Sequence, residues 1–498
     1  MGKALMVQGT ASSSGKSLTV TGLCRIFRQD GRSVAPFKSQ NMALNSFITR
    51  DGLEMGRAQV TQAEAAGIEP SVLMNPILLK PTGDATSQVI VNGEVVANLR
   101  AAEYYQRKTE FIPAIRQAYE TLAAQYDVVV IEGAGSPAEI NLAENDIVNM
   151  GMAAMADAPV LLVGDIDRGG VFPSLYGTVM LLQPEDRRRI RGFVINKFRG
   201  DVEILRPGLR QLEQLTGIPV LGVVPWINLD IDDEDSVSSR LERRDPPKPV
   251  DVAVVRLPRI SNFTDFNALE RHPAIGVRYV ERARELGQPD LVILPGTKNT
   301  MADLNWMRQN GIEGAVKKLA DAGTPLIGIC GGFQMLGRRL SDPEGVEQGG
   351  EMRGMELLPV DTVFDKAKVR TRVDGTVGEL DGFFSYLSGA KFSGYEIHMG
   401  NTHHDEAVVP FAALAGEGRE CRDGAVAGNI LGSYVHGLFD SGSLAERLAE
   451  RIMVAKGMDP ARVETESHDA YKERQYNLLA DSLRKALDME AVYDILGS

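Results

Sequence analysis

The sequence predicts an α/β protein with two domains, and three observations lead to this prediction. Nearly continuous runs of Val, Ile and Leu alternate with helical segments over the first 225 residues. Strands of this composition are typical of parallel sheets that are covered by helices on both faces. The same alternation begins again after residue 250, and 498 residues provide enough chain for roughly two to four folding units.

The first part of the chain is expected to form a doubly wound, mostly parallel sheet. The predicted strands are 4–8, 34–37, 128–131, 160–163, 193–195 and 220–224, and the predicted helices are 17–28, 57–66, 104–125 and 203–215. Open sheets of this kind bind ligands beyond the carboxyl ends of their strands. Polar residues that directly follow these strands are therefore candidate site residues.

A change in composition separates the two parts. Residues 230–235 are mostly acidic, and prolines follow at 246, 247 and 249. A charge run of this kind could bind a metal, but a solvated connector stiffened by proline is the favoured interpretation. We therefore predict a first domain over 1–228, a linker over 229–249, a second α/β domain over 250–445 and a helical tail over 446–498.

The second domain is predicted from fewer elements. Its strands are expected at 252–257, 291–294, 326–329 and 430–435, and its helices at 301–309 and 333–339. Shorter strands and turns are expected between about residues 350 and 435. The charged segment after Gly442 has helical character.

Composition and charge exclude several classes of protein. The chain carries 67 acidic and 54 basic residues, a formal net charge of −13, whereas nucleic-acid binding usually requires a basic face. Its cysteines, Cys24, Cys330 and Cys421, form neither a disulfide framework nor a zinc pattern, so a reducing cytoplasm is expected. No apolar run reaches the length of a membrane span, and the N-terminus lacks signal-peptide features.

A glycine-rich loop between the first strand and the first helix predicts nucleotide binding. It runs from Gly9 and Thr10 to Gly15, Lys16 and Ser17, with five residues between its glycines, whereas the common P-loop has four. The backbone N–H groups of such a loop and the helix N-terminus bind phosphate oxygens. Lys16 is expected to neutralise phosphate charge and Ser17 to ligate Mg²⁺. The alternative is a glycine-serine loop with an incidental lysine, but the position of the loop between an apolar strand and a helix favours nucleotide binding.

Three polar residues at strand ends are candidates for the same site. Glu132 follows one predicted strand and is placed to hold Mg²⁺ or its water, although it could also cap a loop. Asn196 follows another strand, where its amide could bind a base edge, and Lys38 could bind an anionic substrate. For Asn196 and Lys38 the alternative is a solvated loop residue.

A second motif predicts a nucleophilic cysteine. An apolar strand leads into Cys330-Gly331-Gly332 and then into a helix, the cysteine form of the nucleophile elbow. A helix N-terminus favours the thiolate, and the N–H of Gly331 could stabilise an oxyanion, with a second donor from the loop at Gly296. His436 is the best candidate base because it ends a strand. A buried structural cysteine is the alternative, and that description suits Cys24.

The remaining histidines give no comparable prediction. His398, His403 and His404 lie close together in sequence, but their spacing fits no standard metal-ligand pattern.

A nucleotide site and a thiol site in one chain suggest a coupled reaction, in which glutamine hydrolysis at Cys330 supplies ammonia to an ATP-activated carboxylate.

These motifs resemble known families. Residues 9–17 and 132–135 resemble the dethiobiotin synthetase-like P-loop group, and residues 329–334 with 435–437 resemble class I glutamine amidotransferases. Their fusion in this order is similar to the cobyrinate amidase family of cobalamin biosynthesis. Residues 36–46, 165–170 and 394–400 are similar to the branch of that family that amidates the b, d, e and g carboxylates. The resemblance covers about residues 1–456.

The resemblance implies a reaction and a role for each candidate. The substrate would be adenosylcobyrinic acid a,c-diamide, each amidation would consume ATP, glutamine and water, and Mg²⁺ would assist. Cys330 would form a glutamyl thioester, with His436 as its proton shuttle. The nucleotide would be held by the glycine-rich loop, Glu132 and Asn196, and the corrinoid by Lys38, Gln40 and Asn41. No membrane or nucleic-acid partner is implied, and the oligomeric state is left open.

One position departs from the amidotransferase pattern. Many class I enzymes carry Glu two residues after the histidine, but this chain has Leu438 there. Either another carboxylate, such as Asp440 or Glu396, orients His436, or the site works with two residues.

Three other functions compete with this interpretation. The chain could belong to another branch of the same family, which carries a different sequence after the second strand. It could be a P-loop regulator with an inactive cysteine domain, but the intact Cys330 and His436 motifs argue against this. A cysteine protease or thioester hydrolase would leave Lys16 and Ser17 unexplained.

Overall fold

The computed structural model describes residues 2–82, 86–231, 248–405, 408–416, 419–463 and 465–497. The chain divides into two compact units. Unit 1 comprises Met1–Ala43, Glu54–Glu234 and Asp469–Ser498, and unit 2 comprises Leu44–Leu53 and Asp235–His468. Most of the predicted acidic run and linker, residues 232–247, lies outside the described residues.

The elements up to residue 231 alternate as the sequence predicts. The strands are β1 (Lys3–Gly9), β2 (Val34–Phe37), β3 (Gln40–Met42), β4 (Ser46–Ile48), β5 (Glu54–Gly56), β6 (Ile77–Pro81), β7 (Thr86–Val91), β8 (Glu94–Arg100), β9 (Val128–Glu132), β10 (Val160–Asp165), β11 (Ile190–Phe198) and β12 (Val220–Pro225). The helices are α1 (Lys16–Gln29), α2 (Arg57–Ala66), α3 (Ala101–Arg107), α4 (Ile112–Gln125), α5 (Met150–Met155), α6 (Val171–Leu181), α7 (Pro184–Arg187) and α8 (Val202–Thr216).

The main sheet of unit 1 is parallel and confirms the predicted fold class. Its strand order is β12-β11-β10-β1-β9-β2, and every neighbouring pair in it is parallel. The connection from β1 runs towards β2 at one edge of the sheet, and the connection from the neighbouring β10 runs towards β11 on the other side, so the loop after β1 lies at a topological switch point. That point is where open α/β sheets bind their ligands.

Two features of unit 1 differ from the sequence prediction. A second sheet of order β3-β6-β7-β8 was not predicted, because its outer strand β8 is mostly exposed and has no continuous apolar run. The helix predicted over 104–125 is interrupted. It forms α3, a 3₁₀ turn at Lys108–Phe111 and α4, with a proline in the first turn of α4, where its missing N–H is tolerated.

The elements after residue 248 build unit 2 and the C-terminal helices. The strands are β13 (Val250–Val255), β14 (Ile275–Val280), β15 (Leu291–Leu294), β16 (Leu326–Ile329), β17 (Arg339–Asp342), β18 (Gly350–Arg353), β19 (Val360–Val377), β20 (Lys391–His404), β21 (Ala412–Gly416), β22 (Arg419–Asp423), β23 (Ala425–Ala427), β24 (Ile430–Ser433) and β25 (Val435–His436). The helices are α9 (Asn267–Arg271), α10 (Ala283–Leu286), α11 (Thr300–Gln309), α12 (Ile312–Asp321), α13 (Gly331–Leu336), α14 (Leu444–Ala455), α15 (His468–Ala486) and α16 (Met489–Gly497).

Unit 2 contains two sheets that meet at the candidate thiol site. One has the order β14-β13-β15-β16-β24-β23, and the other contains the path β18-β17-β19-β20-β25. The strand predicted over 430–435 is divided, since β24 pairs with β16 in the first sheet and β25 pairs with β20 in the second. The helix predicted over 333–339 instead begins at Gly331 and ends at Leu336, because Arg339 begins β17.

A ten-residue segment from the N-terminal part of the chain belongs to unit 2. Within Leu44–Leu53, the carbonyl of Ser46 accepts a hydrogen bond from the Tyr395 hydroxyl at 3.0 Å, and the N–H of Ser46 donates to Asn262 Oδ1 at 3.3 Å. Ile48 is fully buried in a cluster with Tyr395 and Ile397. This segment is therefore part of the unit 2 core.

The C-terminal helices pack on unit 1. Leu479 and Leu483 of α15 lie against Gly22 of α1 and join the core cluster of β1 and α1. Arg25 of α1 pairs with Glu473 at 2.5 Å. The part of the tail after residue 468 is thus an integral layer of unit 1. No helix in the described ranges has both the length and the hydropathy of a membrane span.

We expect Leu483→Ala to lower the free energy of unfolding by about 2–5 kcal/mol, because it opens a cavity between α15 and α1. Leu478 lies on the same helix but is 44% exposed, so Leu478→Ala should change stability by no more than about 0.5 kcal/mol. Urea unfolding followed by circular dichroism measures both. Equal effects of the two substitutions would contradict the packing of α15.

Candidate active sites

The glycine-rich loop connects β1 to α1 at the switch point of the parallel sheet. Its last glycine, Gly15, precedes the helix with φ +104°, a conformation that side chains disfavour. A Cβ at this position would also lie 1.8 Å from Asn196 Nδ2, so only glycine fits. Asn196 donates to the carbonyl of Ser14 at 3.0 Å. The described contact of the Asn196 amide is therefore with the loop backbone, and its predicted contact with a base stays a prediction.

Lys16 and Ser17 lie at the start of α1, facing the loop after β9. Lys16 Nζ donates to the carbonyl oxygens of Ala11 and Gly135, at 2.9 and 3.0 Å. The Ser17 hydroxyl donates to Glu132 Oε1 at 2.9 Å. The structure thus brings together Lys16, Ser17 and Glu132, which were predicted as site residues from separate parts of the sequence.

Glu132 is the centre of a buried polar cluster. Its Oε1 also accepts from Lys38 Nζ at 3.0 Å, and its Oε2 accepts from the amide of Gln62. The side chain of Glu132 is 1% exposed, so the ammonium of Lys38 balances a charge that is almost fully removed from water. Gln62 was not predicted as a site residue. Its one recognisable feature in the sequence was a polar side chain in a helix that is rich in alanine.

The other two predicted corrinoid contacts lie on β3. The amide of Asn41, which is buried, donates to Gln59 Oε1 at 3.4 Å, and Gln40 Oε1 accepts from the hydroxyl of Tyr104. Gln40 lines a cavity of about 490 Å³ that also includes Ala134, the neighbour of Gly135. Gln40 therefore lines a cavity near the glycine-rich loop. Asn41 is instead buried, and its described side-chain contact is with Gln59 of α2.

In unit 2, the strand–helix turn at Cys330 has the geometry of a nucleophile elbow. Cys330 lies between β16 and α13 with φ +50° and ψ −108°, a strained conformation for a non-glycine residue. A Cβ on Gly332 would lie 2.1 Å from the carbonyl oxygen of Leu294, so the turn requires glycine there. The thiol of Cys330 points towards the carbonyl of Ile397 at 3.6 Å. Strain of this kind is typical of residues held for catalysis.

His436 is fixed by a carboxylate that the sequence analysis did not identify. Its Nδ1 lies 2.7 Å from Asp265 Oδ2, and Asp265 Oδ1 accepts from the N–H of Gly437 at 2.9 Å. Both side chains are buried. A hydrogen bond with Cys330 contributes to the electrostatics of the imidazole. Cys330, His436 and Asp265 therefore form a Cys–His–Asp arrangement of the kind that activates nucleophiles.

Asp265 is thus the carboxylate that contacts His436. The sequence left the choice open between another carboxylate, such as Asp440 or Glu396, and a site of two residues. Burial lowers the pKa of His436, but the interactions with Asp265 and Cys330 outweigh burial and hold that pKa above the usual range of histidine. The imidazole therefore carries its proton near neutral pH. Leu438, which stands where many amidotransferases have Glu, is buried in the core of unit 2.

The predicted oxyanion donors lie beside the same residues. Gly331 is the first residue of α13, where backbone N–H groups have no preceding turn to donate to. A Cβ on Gly296 would lie 2.8 Å from His436 Cε1, so Gly296 is adjacent to the imidazole. Both residues are near Cys330 and His436, and their role as oxyanion donors stays a prediction.

We expect Asp265→Asn to lower the glutaminase kcat by about 10²- to 10⁴-fold, because a neutral amide cannot balance the protonated imidazole of His436. Losing that charge lowers the pKa of His436, so the imidazolium is lost at a lower pH. The alkaline limb of the pH–rate profile should therefore move to lower pH. Steady-state glutaminase assays between pH 6 and 10 test both expectations. If Asp440→Asn and not Asp265→Asn has these effects, the assignment is wrong.

Comparison with family models agrees with the two sites. Residues 5–236 match the CobQ/CobB/MinD/ParA nucleotide binding domain, and residues 251–444 match the CobB/CobQ-like glutamine amidotransferase domain. A nucleotide-binding α/β domain joined to such an amidotransferase domain defines a glutamine-dependent amidating ligase.

Whole-chain relatives narrow this class. A cobyric acid synthase of Ruminiclostridium cellulolyticum is 56% identical over 100% of this chain and 97% of its own length. Those of Lachnoclostridium phytofermentans and Yersinia enterocolitica are 55% and 52% identical, each over 100% of this chain and over 99% and 98% of their own lengths. The chain belongs to the cobyric acid synthase family. The resemblance drawn from the motifs is thereby confirmed.

Proposed function

We propose that this protein amidates the b, d, e and g carboxylates of adenosylcobyrinic acid a,c-diamide with ATP and glutamine. The observation that carries the proposal is the match of the whole chain to cobyric acid synthases at 50–56% identity, in a chain that has both a phosphate-binding loop and a Cys–His–Asp site. Each cycle converts one carboxylate, one ATP and one glutamine, with water, into one amide, ADP, phosphate and glutamate.

In the amidotransferase half, Cys330 attacks the side-chain amide of glutamine. His436 gives its proton to the departing nitrogen, and ammonia leaves a glutamyl thioester on Cys330. Water, deprotonated by His436, then hydrolyses the thioester to glutamate. Asp265 keeps the imidazole in the orientation that both proton transfers need, because it holds Nδ1 at 2.7 Å.

In the ligase half, a substrate carboxylate attacks the γ-phosphate of ATP, and the resulting acyl phosphate is converted to an amide by ammonia. Lys16 neutralises charge that develops on the transferred phosphoryl group. The hydroxyl of Ser17 and the carboxylate of Glu132, 2.9 Å apart, are hard oxygen donors and fit Mg²⁺. Bound there, Mg²⁺ would neutralise the phosphates of ATP.

The cavity bordered by Gln40 is the proposed site for one edge of the corrinoid. It lies next to the loop after β9, and the rings of Tyr104 and Tyr105 and the exposed Met42 offer apolar surface to a macrocycle. Lys108 also lines it and is only 9% exposed; burial lowers its pKa and Asp146 offsets this in part. A substrate carboxylate would compensate this buried ammonium.

The neighbouring Lys38 is proposed to receive the carboxylate that reacts. Its ammonium donates a hydrogen bond to Glu132, one of the two residues proposed to hold Mg²⁺. A carboxylate bound by Lys38 would therefore be close to the γ-phosphate.

A mass spectrum of adenosylcobyrinic acid a,c-diamide after incubation with the protein, MgATP and glutamine tests the proposal. Each amidation replaces an OH group by NH₂, so the mass of the product counts the amidations. Four conversions are expected. An unchanged mass while glutamine is still hydrolysed would reject this substrate.

A further inference from the structure

A glutamine site needs a group that binds the α-ammonium of the substrate, and the acidic residues near Cys330 are the candidates. Asp265 accepts from His436 and Gly437, and Asp423 accepts from the hydroxyl of Ser433 and the N–H of Tyr434, at 2.6 and 3.0 Å. Each of these carboxylates is thus engaged within the fold.

A third carboxylate near Cys330 has a different environment. Glu396 lies on β20, directly before Ile397, whose carbonyl oxygen is 3.6 Å from Cys330 Sγ. In register it is opposite Val435, the residue before His436. Its side chain is 12% exposed. Among the described residues, no Lys or Arg lies within ion-pair distance of its carboxylate.

Within the described part of the chain, no group forms an ion pair with Glu396 near pH 7. On the same strand, His398 Nε2 lies 3.9 Å from Glu396 Oε1, but burial lowers the pKa of His398 to about 4, so this imidazole is neutral near pH 7. Asp423, on β22, adds negative charge, and His436, on β25, adds positive charge. Burial is the largest influence, and the pKa of Glu396 rises to about 7.

We propose that Glu396 binds the α-ammonium of glutamine and thereby selects glutamine over amides that lack it. Four bonds separate the reacting carbonyl carbon of glutamine from its α-nitrogen, a reach of about 5 Å. Glu396 directly precedes Ile397, whose carbonyl oxygen lies 3.6 Å from Cys330 Sγ, so it is a neighbour of a glutamine held at that thiol. An ammonium at Glu396 would form a charge-assisted hydrogen bond away from water, where such bonds are strong. This inference rests on the glutaminase reaction and not on the identity of the corrinoid.

The test compares glutamine with 4-carbamoylbutanoate, which has the same chain and amide but no α-ammonium. For Glu396→Gln we expect kcat/KM for glutamine to fall about 10²-fold, mainly through KM, because the ammonium loses its ionic partner. For 4-carbamoylbutanoate we expect little change, so the preference of the enzyme for glutamine should largely disappear. Glu396→Asp, which keeps the charge, should restore part of that preference.

Two further measurements separate this role from others. Alkylation of Cys330 by iodoacetamide, which needs no ammonium site, should proceed at the wild-type rate in Glu396→Gln and reports that the site has folded. Glu379→Gln, on an exposed residue, should behave like the wild type with both amides. An unchanged preference for glutamine, or an equal loss of kcat with both amides, would overturn the proposal. The assay contains no corrinoid, so a wrong corrinoid assignment would not affect it.

Discussion

Replacing Cys330 by alanine is expected to abolish glutamine-dependent amidation and to leave ammonia-dependent amidation at the wild-type rate. The thiol is the only group at the elbow that can form the glutamyl thioester, so its loss should lower glutaminase turnover by at least about 10³-fold. The ligase half does not use this thiol. Ammonium chloride should therefore restore product formation by the Cys330→Ala protein, measured as ADP release coupled to amide formation.

The matched control for this substitution is Cys421→Ala. Cys421 is an exposed thiol on β22, and its replacement should change neither activity. The third cysteine, Cys24, is fully buried in α1, and burial raises the pKa of its thiol, so it should not react with alkylating agents. Loss of ammonia-dependent amidation together with glutaminase activity in Cys330→Ala would contradict the separation of the two sites.

Replacing Lys16 by methionine is expected to remove amidation with either nitrogen donor. Methionine preserves most of the volume of the side chain but not its charge, so the γ-phosphate would lose the cation that we propose for it. We expect kcat for amidation to fall by about 10³-fold or more. The glutaminase site in unit 2 keeps all its residues, and it should still be alkylated by iodoacetamide at Cys330.

The control for this substitution is a lysine at the opposite end of β1 from the glycine-rich loop. Lys3 is an exposed lysine at the start of β1, where it donates to the carbonyl of Gly497, and Lys3→Met should retain amidation. Normal ammonia-driven turnover of Lys16→Met would refute the role of Lys16 in phosphoryl transfer.

Strands with continuous apolar runs were predicted from the sequence, and their placement followed from general rules of parallel sheets. β2, β15 and β16 have the predicted bounds, because each is a short apolar run that is buried along its whole length. β8 was missed because exposed residues dominate it. The interruption of the helix at residues 108–111 was also missed, since a proline that begins a helix does not by itself show where the preceding one ends.

The candidate sites were predicted where their residues are close in sequence. The glycine-rich loop and the cysteine elbow are short motifs, and each places its own side chains. Asp265 was missed because it precedes His436 by 171 residues, in a 3₁₀ turn with no recognisable motif. Only tertiary structure brings such residues together, so the sequence left the partner of His436 open. Gln62 was missed for the same reason.

The segment Leu44–Leu53 has a consequence for how this enzyme can be divided. A gene cut at the change in composition near residue 240 would encode an amidotransferase fragment without Ile48, leaving Tyr395 and Ile397 uncovered. It would also remove Leu479 and Leu483 from the ligase fragment and leave the apolar surface around Gly22 open to water. Two polypeptides produced in this way would be expected to aggregate. A workable bipartite enzyme would need residues 44–53 and 469–498 transferred to the opposite fragment.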